Sequence, residues 1–192
     1  RMHKKFFIYR NYELGFALCE LPPSFDEYFM YIEASARRNY KKAARQGYRC
    51  QRIDFNEYLD DIREVVQSTD VRQGKIPDEI LKEGVTENTD PPTRTNIHDY
   101  PYYGVIKDGK LYAYCACFVA GELCMIDRIF GHADYHSEGV VPLMIIEIAR
   151  DIIEKYPKVK YYCYGSYYGA GISMRRFKKK FKFLPFKVQW LL

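Results

Sequence analysis

Two side chains that can move a proton at neutral pH lie within and just after one apolar segment. Asp127 lies inside residues 123–130, which have the composition of a β-strand, and His132 follows that segment. A carboxylate inside a strand is usually paired with a cation or used in chemistry. Its neighbour Arg128 is predicted to point to the opposite face, because side chains alternate along a strand. Histidine titrates near pH 6.5, the range that a general acid or base needs. We therefore predict proton transfer by Asp127 and His132, with a structural ion pair as the alternative for Asp127.

A loop of small and aromatic residues follows the next predicted strand and precedes a basic helix. It has the sequence Gly165-Ser166-Tyr167-Tyr168-Gly169-Ala170-Gly171. Small residues allow a backbone to approach a ligand closely, but the phosphate-loop spacing G-x-x-x-x-G-K-[ST] is missing. We predict that the loop lines a donor or acceptor channel and that Tyr167 and Tyr168 serve as catalytic phenols. An ordinary turn-rich connection is the alternative.

Charges are segregated along the chain. Thirty Lys and Arg against 25 Asp and Glu leave a net charge of +5. Residues 34–53 carry seven basic residues and no acid, residues 155–192 carry ten and no acid, and residues 54–99 carry twelve acids against five bases. Clustered charge raises the local potential more than net charge does, so this pattern predicts a positive face that meets an anionic partner. Solvated cationic helix faces are the alternative.

The six cysteines indicate a reducing compartment. Four of them lie in strand-like apolar segments, no CxxC pair occurs, and 192 residues can bury a core without cross-links. We predict free buried thiols, no metal site and a cytoplasmic protein. No apolar run reaches the roughly 18–20 residues of a membrane-spanning helix, so no membrane span is expected.

The elements that must position these residues follow from periodicity, caps and turns. Ser24 and Glu27 form a capping box ahead of the first helix, and Gly47 ends it. Predicted helices span residues 25–46, 55–66, 78–82, 140–156 and 173–180, and predicted strands span residues 6–20, 48–53, 102–106, 111–119, 123–130, 159–164 and 185–192. The order predicts an α+β fold whose mixed central sheet contains an antiparallel meander and is flanked by helices. We divide the chain into residues 1–47, a strand and basic helix packed on the main domain, and residues 48–192, the main domain.

This order of elements, with a meander leading through a loop into a helix, resembles the GNAT fold of acyl-CoA N-acyltransferases over residues 48–192. In that family the loop before the helix follows the pattern Q/R-x-x-G-x-G/A and holds the pyrophosphate of CoA. The matching stretch here is His136-Ser137-Glu138-Gly139-Val140-Val141, which keeps Gly139. The family's closing tyrosine would fall on Lys178. The resemblance implies an acyl-CoA co-substrate, held by the following residues: Arg128, Ile129, His136, Ser137, Glu138, Gly139, Val140 and Lys178.

Two basic stretches also resemble the Fem-type aminoacyl transferases. Residues 35–48 are similar to the pattern S-x-R-x-x-x-R/K-K-A-x-x-x-G, and residues 174–181 are similar to L-x-x-F-K-x-x-F-G. This likeness implies an aminoacyl-tRNA as the alternative donor. The predicted substrate contacts are Arg72, His98, Asp134, Tyr164 and Ser166.

Together these features predict an N-acyltransferase. It would move an acyl group from acyl-CoA, which chain length favours slightly, or from an aminoacyl-tRNA to an amine of an anionic acceptor, by direct transfer with general base catalysis. The acceptors that this prediction includes are nucleic acids and other phosphate-bearing molecules. The alternative is a non-catalytic nucleic-acid-binding module, because aromatic residues interleaved with Arg and Lys suit stacking on bases.

Overall fold

One sheet dominates the computed structural model, which describes residues 15–69, 85–88, 95 and 97–187. Within these residues its strands are β1 Phe16–Glu20, β2 Arg49–Ile53, β3 His98–Asp99, β4 Tyr102–Lys107, β5 Lys110–Ala120, β6 Leu123–Gly131, β7 Tyr161–Ser166 and β8 Leu184–Phe186. They lie in the order β2-β4-β5-β6-β7-β1-β8, with β3 also paired to β5. The β6–β7 pair is parallel and the other pairs are antiparallel. The predicted α+β fold with a mixed, meander-containing sheet is therefore confirmed.

The described helices pack against this sheet. They are α1 Phe25–Tyr31, α2 Ala34–Arg45, α3 Leu59–Gln67, α4 Val140–Lys155 and α5 Ile172–Lys180, with 3-10 turns at Phe55–Tyr58 and Ala133–Glu138. Helix α4 is apolar almost all round and lies in the larger core with α1 and α2, while α3 covers a smaller core on β5. Each fully buried aliphatic side chain of α4 contributes about 1.5–3 kcal/mol, so this helix anchors one face of the sheet. No described helix has the length and hydropathy that a bilayer crossing requires.

The continuous helix predicted for residues 25–46 was wrong, because the chain breaks into α1 and α2. Ser24 caps α1 as predicted, with its hydroxyl accepting from the Glu27 amide at 3.2 Å. Ile32 then leaves the helical region with ψ of 160°. The Arg37 guanidinium donates to the carbonyls of Phe29, Met30 and Ile32 at 3.3, 2.8 and 2.6 Å. An arginine from the second helix thus satisfies carbonyls at the end of the first, which periodicity alone does not show.

The prediction that Arg128 points away from Asp127 was also wrong. Ala116 pairs with Arg128 and Cys117 pairs with Ile126, so Asp127 is an extra residue in β6, a β-bulge. Ile126 and Ile129 both pack into the larger core, which leaves Asp127 and Arg128 together on the other face. Their side chains are exposed and form an ion pair, Arg128 Nε to Asp127 Oδ2, at 3.3 Å.

Other predicted bounds shift by a few residues. The strand predicted for residues 159–164 begins at Tyr161, because the Val159 amide binds the Tyr156 carbonyl after α4 and the Lys160 amide binds the Glu122 carbonyl in the hairpin between β5 and β6. The last strand is short, Leu184–Phe186, within the described residues. The predicted helix at residues 78–82, the strand residues 6–14 and residues 188–192 lie outside the described part of the chain. The division at residue 47 stays a prediction, and β1 is an inner strand of the same sheet.

Candidate functional site

The two parallel strands of the sheet separate part-way along their length. Register pairs join Leu123 to Tyr161, Cys124 to Tyr162 and Met125 to Cys163. Strand β6 continues to Gly131, while β7 continues to Ser166 and pairs with β1 on its other side. Beyond Met125 and Cys163 the described strands share no further register pair. An opening in the middle of a sheet exposes backbone groups that a ligand or a side chain must satisfy.

The β6 side of the opening carries a carboxylate. Asp127 is the second residue past the last β6–β7 pair, and the bulge turns it to the face opposite α4. Its side chain is accessible to solvent and its nearest cation is Arg128. The bulge places a carboxylate and a guanidinium side by side beyond the last strand pair.

The β7 side of the opening carries a buried ammonium. Lys178, from α5, is 3% exposed and donates to the carbonyls of Tyr164 at 2.6 Å and Ser166 at 2.8 Å. Its ammonium also lies 4.5 Å from the centre of the Tyr164 ring. Burial lowers the pKa of Lys178, an effect that the nearby Cys163 thiol opposes. Two of the three ammonium hydrogens are thereby used on β7, and the third has no acceptor among the described residues.

The tyrosines of the small-residue loop have different surroundings. Gly165, near the end of β7, takes a positive φ of 56° where the pairing of β7 with β1 shifts register. Tyr167 is buried, and its amide donates to the Gly15 carbonyl at 2.7 Å. Tyr168 is exposed and meets the Tyr167 ring edge-on. Of the two predicted phenols, Tyr168 is the accessible one, and within the described part of the chain no hydrogen bond links either phenol to Asp127.

His132 lies in a separate polar cluster at the far end of β6. Its Nε2 is 3.6 Å from Glu64 and its Nδ1 is 4.0 Å from Asp134. Glu64 is also held by Lys110 at 2.7 Å, and this hydrogen bond is the main cause that lowers the pKa of Glu64. A strand rises about 3.3 Å per residue, so His132 is roughly 16 Å from Asp127 along β6. The structure therefore brings His132 and Asp134 together but leaves His132 and Asp127 in different places.

The loop before α4 packs tightly against α2. Gly139 has a φ of 87°, and a Cβ there would stand 2.5 Å from the Asn39 carbonyl oxygen. Lys42 donates to the Ser137 carbonyl at 2.8 Å, and the Tyr48 hydroxyl donates to the Glu138 carboxylate. The loop is thus bonded to α2 through Lys42 and to Tyr48, three residues past the end of α2.

The end of β6 beneath this loop is filled. A Cβ on Gly131 would stand 2.5 Å from Val141 and 3.3 Å from the His136 ring, whose Nε2 lies 3.0 Å from the Gly131 carbonyl oxygen. Val140 is fully buried. Pro142 has no amide hydrogen, so the first turn of α4 offers one donor fewer than an ordinary helix start.

The remaining predicted substrate residues lie elsewhere. His98 pairs with Ala120 at the opposite end of the sheet from the opening and borders a pocket of about 230 Å³. Beside that pocket, Asp99 accepts from Arg52 at 2.8 Å and from the Tyr156 hydroxyl at 2.5 Å. Hydrogen bonding from Tyr156 and Arg52 lowers the pKa of Asp99 despite its burial. Arg72 lies outside the described residues.

Cationic side chains are displayed by α2 and α5. The exposed face of α2 carries Arg38, Lys41, Lys42 and Arg45, and its buried face carries Ala36 and Ala43. The Glu33 amide donates to the Lys180 carbonyl at 2.9 Å, which joins the start of α2 to the end of α5. The two basic stretches of the sequence therefore meet in space.

The cysteines are free, and five of the six are buried. The Sγ atoms of Cys115 and Cys117 are 3.6 Å apart, and burial raises the pKa of both thiols. Among the described residues, no group of three or more His, Cys, Asp or Glu side chains is arranged to hold a metal ion.

Solved structures share this arrangement over most of the chain. FemX matches with a TM-score of 0.64 and 12% identity over 91% of this chain and 59% of its own. L-PGS from Bacillus licheniformis matches with a TM-score of 0.59 and 15% identity over 91% of this chain and 59% of its own. A C-terminal domain (DUF2156) from Agrobacterium fabrum, assigned to a lysylphosphatidylglycerol synthetase, matches with a TM-score of 0.57 and 18% identity over 90% of this chain and 57% of its own.

The chain has a GNAT-like fold, with a likeness to the Fem-type protein. It spans less than three fifths of the length of each of these structures. No protein-family model and no curated protein matches the sequence.

Within the GNAT-like fold, only part of the predicted site borders the opening. Asp127 lies on its β6 side, and Lys178, Tyr164 and Ser166 lie on its β7 side. Sequence reasoning missed Glu64, which lies on α3 and meets His132 only through the fold. It also missed that Lys178 is buried, since a lysine within a run of basic residues gives no sign of which one turns inward.

Proposed function

We propose that this protein transfers an acyl group to an amine at the opening between β6 and β7. The observation that supports this most is the buried Lys178 ammonium, which is bonded to two carbonyls of β7 where β7 and β6 have separated, while β6 carries the exposed Asp127 two residues past its last pair with β7. A carboxylate and an acidified ammonium at one opening supply the base and the acid that acyl transfer requires.

The two groups would divide the proton transfers. The acceptor nitrogen attacks the acyl carbonyl carbon, a C–N bond forms, and the amine proton passes to the Asp127 carboxylate. The bond from the carbonyl carbon to the leaving oxygen or sulfur then breaks, and that atom takes a proton from the Lys178 ammonium. The lowered pKa of Lys178 makes it a better acid for this step. The two carbonyl bonds of β7 use two of its ammonium hydrogens, so the third is the one that would be donated to the leaving atom. Asp127 then releases its proton to solvent, and solvent restores the proton on Lys178.

We infer that the donor is an aminoacyl ester on an RNA carrier rather than an acyl-CoA. A CoA pyrophosphate needs free amides at the start of α4, and there the chain offers Pro142, the buried Val140 and the carboxylate of Glu138. The His136 and Val141 side chains fill the space over Gly131. The contacts of this loop indicate that it connects β6 to α2, and among the residues that the structure describes they leave no site for a phosphate at the start of α4.

The phosphates of such a carrier have a more suitable partner in the exposed face of α2. Four cations project there, and residues 34–53 contain no acid that would repel a polyanion. One similar structure bears the name lysylphosphatidylglycerol synthetase, which joins an aminoacyl group to an anionic lipid, and this supports an aminoacyl donor and an anionic acceptor for this chain. The six free thiols support a reducing compartment, which we propose to be the cytoplasm.

A binding module without catalysis is the second candidate, favoured by the same cationic face of α2. It predicts binding of RNA that does not depend on Asp127 or Lys178.

A transfer assay distinguishes the two candidates. Purified protein is incubated with tRNA carrying a radiolabelled amino acid, or with labelled acetyl-CoA, and a panel of primary amines. We expect amine-dependent loss of label from the tRNA ester and none from acetyl-CoA. Lys178→Met and Asp127→Asn should each lower the rate about 10²-fold or more. Lys179→Met, an exposed neighbour, and Glu122→Gln, an exposed carboxylate paired with Lys160 at 2.5 Å outside the opening, are matched controls.

The outcomes separate cleanly. Transfer from acetyl-CoA alone contradicts the donor assignment. Tight tRNA binding without transfer, unchanged in Lys178→Met, supports the binding module. Equal losses in the test and control variants contradict the placement of the site.

A further inference from the structure

The joint between α1 and α2 displays apolar side chains to solvent. Met30 is 69% exposed and Tyr31 is 46% exposed, at the last turn of α1. We call residues 30–33 the elbow. Neither side chain belongs to a core cluster of the described residues, and exposed apolar surface rimmed by polar groups is typical of interaction sites.

The elbow is held in one shape. Arg37 donates to the carbonyls of Met30 and Ile32 at 2.8 and 2.6 Å, and Ile32 is buried in the larger core. The Glu33 amide is bound to the Lys180 carbonyl. The two exposed side chains are therefore presented by a fixed backbone, and ordering the elbow on binding costs little conformational entropy.

Cations surround the elbow. The Lys182 ammonium lies 4.6 Å from the centre of the Tyr31 ring, and the Lys41 ammonium lies 5.9 Å from that of Phe29. Arg38 and Lys179 are exposed on the two helices that meet there. The nearby acids are Glu33, which binds the Ser35 hydroxyl at 3.3 Å, and Asp26 and Glu27 in the first turn of α1.

We propose that the elbow docks this protein peripherally on a bilayer that contains anionic phospholipid. Met30 and Tyr31 would enter the interface, where an aromatic ring with a polar tip is favoured. Lys41, Lys179 and Lys182 would face the headgroup phosphates, and basic residues near a membrane surface each strengthen binding about fivefold. A nucleic-acid backbone explains the cations but gives an exposed methionine no partner. The inference does not depend on the proposed transfer reaction.

Co-sedimentation of the full chain with phospholipid vesicles tests the proposal. The vesicles contain phosphatidylcholine alone or phosphatidylcholine with about 30 mol% phosphatidylglycerol. We expect binding to the anionic vesicles only, weakening as salt rises from about 50 to about 300 mM. The double variant Met30→Glu, Tyr31→Glu should lower the vesicle affinity at least about tenfold, because it removes the apolar contact and adds repulsion.

A matched control isolates the elbow. Ile172→Glu changes a side chain that is 66% exposed at the start of α5 and should leave vesicle binding unchanged. Circular dichroism melts check that each variant is folded. Absence of vesicle binding by the folded wild type, equal loss in Ile172→Glu, or an elbow variant that loses tRNA binding while keeping vesicle binding would each overturn the proposal.

Discussion

Replacing Lys178 by methionine is the most informative change that the structure suggests. Methionine keeps most of the buried length of the side chain and removes the ammonium, so the carbonyls of Tyr164 and Ser166 lose their donors. Each buried carbonyl without a partner costs about 1–3 kcal/mol. The variant also regains the free energy that burying a charge costs, which is visible as the lowered pKa of Lys178.

The balance gives a net loss of stability of about 1–3 kcal/mol, because the Ser166 carbonyl is partly buried and water can reach it. In a chain of this length that loss lowers the melting temperature by about 3–10 °C. Lys179→Met, on the exposed side of α5, should change the free energy of unfolding by less than about 0.5 kcal/mol.

The pH dependence has a definite sign. Between the lowered pKa of Lys178 and 10.5, its unperturbed value, the unfolded chain binds a proton that the folded chain releases. The free energy of unfolding of the wild type should therefore rise relative to that of Lys178→Met as the pH increases toward 10.5. Urea titrations of both proteins at several pH values measure this difference.

Two results would refute this reasoning. If Lys178→Met is as stable as Lys179→Met, the ammonium does not hold the β7 carbonyls. If the stability difference between wild type and Lys178→Met shrinks with rising pH, the ammonium is favoured by the fold rather than disfavoured. Lys178→Arg, which keeps a charge and donors, should recover part of the stability but not the transfer rate, since a guanidinium does not release a proton.

Three further outcomes follow from single sites. Gly139→Ala should cost about 2–4 kcal/mol in a urea titration, because it meets both a positive φ and a neighbouring carbonyl; Gly109→Ala, with a φ of 81° and no atom within 4 Å, should cost only about 1–2 kcal/mol, and equal costs would contradict the clash. Arg37→Ala should lower the free energy of unfolding by about 1–3 kcal/mol in a thermal melt, because the carbonyls at the end of α1 lose their donor. An equal loss in the exposed control Arg38→Ala would contradict the inference that these hydrogen bonds stabilise the break between α1 and α2. Burial raises the pKa of Cys19 to about 12 from 9.0, so the free energy of unfolding should fall as the pH rises from 9.0 toward 12, and less steeply in Cys19→Ala; parallel slopes would argue against a buried thiol.

Local patterns predicted the elements of the fold well. The capping box at Ser24, the short link between the predicted strands 102–106 and 111–119, and Gly139 ahead of α4 depend on neighbouring residues, which the sequence displays directly. The meander of β4, β5 and β6 follows from turns of a few residues between long strands. Such signals suffice for the fold class and for most helix and strand positions.

The candidate site depended on contacts that the sequence does not display. The bulge in β6 decides which face Asp127 takes, and nothing in the alternation of apolar residues marks the extra position. The break between α1 and α2 depends on Arg37 reaching back to three carbonyls. Glu64 and His132 lie far apart in the chain and meet through the packing of α3 against the sheet.

The opening in the sheet and the buried lysine are physically linked. A parallel ladder that stops at Met125 and Cys163 leaves polar backbone groups of β7 inside the protein, and buried carbonyls without partners are costly. Lys178 satisfies two of them from the next helix, so the strands can stay apart. An apolar residue at this position would favour closure of β7 onto β6 or local fraying. The group best placed to protonate a leaving atom is thus the same group that stabilises the space in which the reaction is proposed to occur.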